Sequence, residues 1–161
     1  MGGLFGVVSN EDCVMDVYFG TDYHSHLGTC RGGMAIWSGS SFNRSIHNIE
    51  STQFRAKFES DLPNISGNMG IGCISDTEPQ PLTVRSHLGH YALTTVGKIN
   101  NLDELADKAF TGRNMHFLET SKGTINPTEL VSVIIDQESS FKDGLLKAQE
   151  LIDGSCSILL L

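Results

Sequence analysis

The chain has 161 residues, 39% of them hydrophobic and 19% charged, which suits one folded domain with its own core and excludes a fibrous repeat or a disordered tract. Its formal net charge is −8, and its 11 Lys and Arg residues never stand side by side. A nucleic-acid groove or an acidic membrane surface needs clustered cations, so neither partner is expected. The four cysteines, Cys13, Cys30, Cys73 and Cys156, have no CxxC spacing, which points to reduced, mostly buried thiols and a cytoplasmic protein. No stretch approaches the ~20 apolar residues of a membrane span, and the start lacks the basic and long apolar regions of a signal peptide.

Residues 3–8, GLFGVV, form a short apolar run that predicts a buried strand. Ser9 and Asp12 have capping-box-like spacing ahead of a helix expected to reach about Leu27. Residues 33–37 and 42–49 flank Ser-Gly-Ser-Ser and predict a hairpin. Ser51 is placed to cap a short helix that buries Phe54 and Phe58 on one face. Residues 69–75 predict another apolar strand, Pro79 and Pro81 a turn, and residues 90–96 a strand that Gly97 ends.

Asn101, with Glu104 three residues on, opens a second long helix. Pro127 stands at the first turn of a third, reaching about Asp136. Ser140 starts a fourth, with Leu145, Leu146, Ala148 and Leu151 expected inward. Asp153-Gly154 then turns into an apolar strand running to Leu161. Strands first, then helices, then a strand give an α+β layered domain over 1–161. An apolar strand at the last residue predicts that the natural chain continues.

The chemistry-bearing residues form ordered blocks. The start reads Met1-Gly2-Gly3-Leu4-Phe5-Gly6; His26-Leu27-Gly28 and Gly33-Met34 follow the first helix. Gly72-Cys73-Ile74-Ser75-Asp76 precedes Gln80-Pro81, and Ala92 to Asn101 contains Val96-Gly97. Pro127-Thr128-Glu129 and Asp153 to Leu161 complete the set. Gly28 and Gly97 also suit turns or close packing alone, and His26 suits a packing role. His24, His26 and Cys30 have loosely metal-like spacing, but two rings two residues apart on a helix point to different faces, so no metal site is expected. Cys30 or Cys73 could act as a relocated nucleophile or lie inert as a buried thiol.

These blocks, in this order, resemble the class II glutamine amidotransferases with an amino-terminal nucleophile, and their spacing fits the amidophosphoribosyltransferase branch. The resemblance implies a four-layer α/β/β/α sandwich, no cofactor in this domain, a phosphoribosyltransferase domain downstream in the same chain, a homo-oligomer and a place in purine nucleotide biosynthesis. It also implies a damaged site. Gly2 stands where the family has its catalytic Cys, Ser75 where an Arg holds the glutamine carboxylate, and Val96 where an Asn forms the oxyanion hole. Pro127 stands where an Asp helps to bind the glutamine amine. The inferred vestigial pocket is Gly2, His26, Gly28, Ser75, Val96, Gly97, Pro127 and Thr128. Losing one oxyanion donor costs about 10²–10³ in rate, whereas losing the nucleophile of a comparable acyl-transfer enzyme costs roughly 10⁶. An inactive glutaminase-like domain is therefore expected. The alternatives are a regulatory or ligand-binding module and a hydrolase using Cys73.

Overall fold

The computed structural model describes residues 2–28, 30–112, 120–121 and 124–161. Strands β1 (Gly3–Val8), β2 (Arg31–Trp37), β3 (Phe42–Asn48) and β4 (Met69–Ser75) form an antiparallel sheet in the order β1-β4-β2-β3. Strands β5 (Leu82–Ser86), β6 (Gly89–Ile99) and β9 (Gly154–Leu160) form a second antiparallel sheet in the order β5-β6-β9. Two short strands, β7 (Thr120–Ser121) and β8 (Thr124–Ile125), pair with each other.

The period-2 alternation of the strands assigns the layers. On β4, Ile74 faces helix α1 (Val14–Tyr23) and short helix α2 (Phe54–Phe58), packing with Val17, Tyr18, Met34, Phe54 and Phe58. The same face of β4 carries Gly70 and Gly72, where a Cβ would run into Val17 and Thr21 of α1, so the helix lies close against the strand. The opposite faces of both sheets meet through Ala35, Ile71 and Ala92, with Phe42 and Leu159 beside them. Tyr91 and Leu93 of β6 turn outward onto Val131 and Ile135 of helix α4 (Pro127–Ile135). Helix α3 (Leu102–Gly112) and helix α5 (Phe141–Leu151) join that outer layer through Leu105, Leu130, Ile134 and Ala148. The result is helix, sheet, sheet, helix: the expected four-layer sandwich.

Several local expectations need correction. The first helix ends at Tyr23, and Ser25–Leu27 forms a separate 3₁₀ turn. Ser9 does not cap α1; its Oγ accepts from the Glu11 amide, while Asp12 accepts from the Val14 and Gly67 amides. Helix α2 starts after Gln53 with no side-chain cap, so Ser51 has no capping role, although Phe54 and Phe58 stack as expected with ring centres 4.2 Å apart. Gly97 does not end β6, which runs on to Ile99. Leu146 is 49% exposed. The closest contact of α5 is made by Gly144 and Ala148, because α5 crosses α4 so closely that a Cβ at Gly144 would overlap Ile135, while Leu145 and Leu151 pack inward as expected.

Candidate functional site

Where β1 begins and β4 ends, the two sheets part around a cleft of about 610 Å³. Antiparallel pairing sets Gly3 opposite Ile74, so Gly2 and Ser75 meet at the same end of the first sheet. From the second sheet, Val96, Gly97, Lys98 and Ile99 of β6 face Ser155 and Cys156 of β9 across the cleft wall. The first residue of α4, Pro127, and the 76–80 loop supply the rest. The expected residues Gly2, Ser75, Val96, Gly97 and Pro127 are therefore gathered at one place. Thr128 adjoins them through its hydroxyl.

His26 and Gly28 lie elsewhere. His26 is exposed on the 3₁₀ turn with its ring edge-on to Tyr23, and Gly28 lines a separate groove with Asp22, Ile49, Phe54 and Arg55. His24 takes the inner position, because a Cβ on Gly3 would overlap its side chain. Its Nδ1 is buried without a hydrogen-bond partner among the described residues.

A buried polar network beside the cleft was not foreseen from the sequence. Glu78, only 3% exposed, accepts hydrogen bonds from Gln80 Nε2 at 2.9 Å, from Thr128 Oγ1 at 3.0 Å and from the Thr77 hydroxyl. Gln80 is fixed in turn: its Oε1 accepts from Thr94 Oγ1 and the Thr95 amide at 2.7 Å each, and its Nε2 also donates to the Thr95 carbonyl at 3.0 Å. The Thr95 and Thr128 hydroxyls lie 2.7 Å apart. The side chains of Glu78, Gln80, Thr95 and Thr128 all have partners in this network, so the loop is clamped to β6 and to the start of α4, although Asn126 Nδ2 is buried without a partner among the described residues. Asn126 completes that start, its side-chain oxygen accepting from the Thr128 and Glu129 amides. The motif Gln80-Pro81 was the one sequence signal for this network. Glu78, a lone carboxylate between Thr77 and Pro79, gave none.

The chemistry available here is limited. A Cβ on Gly2 would fall closer than 3.0 Å to the Ile74 carbonyl oxygen and 3.2 Å from Val96 Cγ2, so the position is filled by backbone and methyl. The Val96 side chain brings no hydrogen-bond donor to the cleft. Burial pushes the Cys73 thiol up to about 12, with the Glu78 charge adding to it and a Thr94 hydrogen bond opposing. A thiol kept protonated by burial is a poor nucleophile, which weighs against Cys73 in the relocated role. Burial and then the Glu78 charge also raise Cys156. Among the described residues, no group of three His, Cys, Asp or Glu side chains converges as a metal site, and no helix is long and apolar enough to cross a membrane.

No protein-family profile matches the chain, and no curated protein does. Its structure is similar to that of glutamine phosphoribosylpyrophosphate (PRPP) amidotransferase from B. subtilis, complexed with ADP and GMP, with a TM-score of 0.82 at 20% identity. A second similar structure, of the allosteric regulatory enzyme of purine biosynthesis, has the same TM-score and identity. In both cases all of this chain is covered but only 35% of the other. At that identity the likeness is one of fold. The four-layer sandwich described above is thus a fold that the chain shares, over its whole length, with about a third of PRPP amidotransferase.

Proposed function

We propose that the chain is a glutaminase-like domain that has lost glutamine hydrolysis, carried by a longer amidophosphoribosyltransferase-like protein of purine nucleotide biosynthesis. The observation that supports this most is the cleft. It draws together Gly2, Ser75, Val96, Gly97 and Pro127, which the sequence resemblance matches to the family's glutamine site, with glycine at the position of the nucleophile and valine at that of the oxyanion donor. A phosphoribosyltransferase domain downstream would then make phosphoribosylamine from free ammonia, in a cytoplasmic homo-oligomer. The share of the PRPP amidotransferase chain left uncovered is consistent with such a second domain.

Ammonia release from glutamine by the purified protein tests the reading. Release equal to the enzyme-free rate is expected. Turnover in the ordinary enzymatic range of about 1–10³ s⁻¹ would overturn it. A second reading, a ligand-binding module, is favoured by the persistence of a cleft of about 610 Å³ with the buried carboxylate of Glu78 on its wall.

A further inference from the structure

The cleft has kept a charge that the lost glutamine chemistry does not account for. Glu78 is 3% exposed, and its three hydrogen-bond donors, Thr77, Gln80 and Thr128, are all neutral. Among the described residues no cation is paired with it. A buried carboxylate is costly unless a positive partner and hydrogen bonds both compensate it, and only the hydrogen bonds are present. The carboxylate lines the cleft together with Asp76, and the one cation among the described lining residues, Lys98, is solvent-exposed.

We propose that this cleft binds a small primary ammonium ligand lacking an α-carboxylate, with the ammonium seated against Glu78. The placement of the carboxylate explains the class of ligand. Pro127 has taken away the acidic side chain that the resemblance puts at the start of α4, but Glu78 is tied to the neighbouring residue, Thr128, by a hydrogen bond of 3.0 Å. A negative charge therefore stands at the same corner of the cleft, supplied by the loop instead of the helix. Ser75 brings no charge to the place that the resemblance gives to an Arg, its hydroxyl accepting from the Thr77 amide, and the one cation among the described lining residues, Lys98, stands on β6 and not at that strand end. The amine half of an amino-acid site survives in a new form and the carboxylate half does not. Val96, Ile99 and Pro127 provide apolar walls for a short carbon chain, and the volume lies within the usual range of small-molecule sites, about 300–1,000 Å³.

The inference rests on the proposed function only for the identity of the cleft as an altered glutamine site. Three probes in phosphate buffer at neutral pH test it: 4-aminobutanamide, which is glutamine without its α-carboxylate, glutamine itself, and butanamide, which has no amine. Calorimetry is expected to show 4-aminobutanamide binding about tenfold or more tighter than either of the others, the lower end of what a charge-assisted hydrogen bond adds. Glu78→Gln, which keeps the size and removes the charge, is expected to abolish that preference. Methyl resonances of Val96 and Ile99 should shift with the first probe. Equal binding of all three probes, unmoved cleft methyls at saturation, or an undiminished preference in a folded Glu78→Gln variant would overturn the inference. If that variant does not fold, the comparison with butanamide in the unaltered protein decides. Glutamine turnover would overturn the proposed function alone, whereas absence of amine selectivity would overturn this inference alone.

Discussion

Restoring the missing nucleophile should not restore glutaminase activity. In Gly2→Cys the new Cβ falls closer than 3.0 Å to the Ile74 carbonyl oxygen and meets the Ile74 carbonyl carbon at 3.4 Å and Val96 Cγ2 at 3.2 Å. The oxygen belongs to backbone held in the β1–β4 pairing, where Gly3 sits opposite Ile74, so the obstruction cannot rotate away like a flexible side chain. Either the amino-terminal residues lift from the sheet edge or the strands shift, at about 1–3 kcal/mol, the usual cost of overpacking. A displaced thiol is also a misplaced one, and an error of about 1 Å in a reacting group costs on the order of 10² in rate. The missing oxyanion donor at Val96 costs a further 10²–10³ or so. The lost contacts at Ser75 and Pro127 are worth about 1.5–3 kcal/mol each. Coupled-enzyme measurement of ammonia from glutamine, on the variant and the unaltered protein side by side, is the assay. Both should match the enzyme-free rate. Turnover by Gly2→Cys at about 1 s⁻¹ or faster would show that Ser75, Val96 and Pro127 have been matched to the wrong positions of the family site.

Three further outcomes follow from the geometry. Gly97 has φ +153° within β6, and a Cβ there would overlap the Ser155 carbonyl of β9, so Gly97→Ala should destabilise the fold by about 1–3 kcal/mol. Thermal denaturation should show a Tm lower by several degrees, and an unchanged Tm would refute that packing. Cys73, fully buried with its thiol pushed up to about 12, should be the last cysteine alkylated by iodoacetamide at pH 8 and should react only on unfolding, which peptide mapping over time can follow. Burial alone would raise Asp61, but hydrogen bonds from Ser45 and His47 and the His47 charge hold it below the usual carboxylate value of 3.8. A depressed folded value contributes stability above the unfolded value and loses it as pH falls through the folded one. Asp61→Asn should therefore flatten the fall in stability below about pH 4 in acid titration followed by circular dichroism, and an identical acid limb would contradict the pairing.

Elements defined by short apolar runs were legible in the sequence. The 3–8 and 69–75 strands appear with those bounds, and Pro127 opens α4 because its missing N–H costs nothing at the first turn. Sheet order was not legible, since β1 pairs with β4 across more than half of the first 75 residues, and local pattern carries no record of such partners. Helix α5 shows why inward leucines were over-counted: tight crossing on α4 selects Gly144 and Ala148 for the contact and leaves Leu146 outside. The residues that family spacing named on strand ends and at the α4 start share one cleft, because the ladder fixes the places of the strand ends. His26 and Gly28 lie apart from that cleft, in the 3₁₀ turn and the groove that follow the end of α1 at Tyr23. The Glu78–Gln80–Thr128 network was invisible because its members lie up to 50 residues apart and converge only when the loop folds against β6 and α4.

The most direct test of the central claim, that this fold has kept its cleft and lost its glutamine site, is calorimetric titration of the unaltered protein with glutamine. With no cation at Ser75 for the α-carboxylate and no side-chain donor at Val96, a Kd weaker than about 1 mM is predicted, equivalent to less than about 4 kcal/mol of binding free energy. Micromolar binding, with glutamine seated against Ser75, Val96 and Gly97, would contradict it.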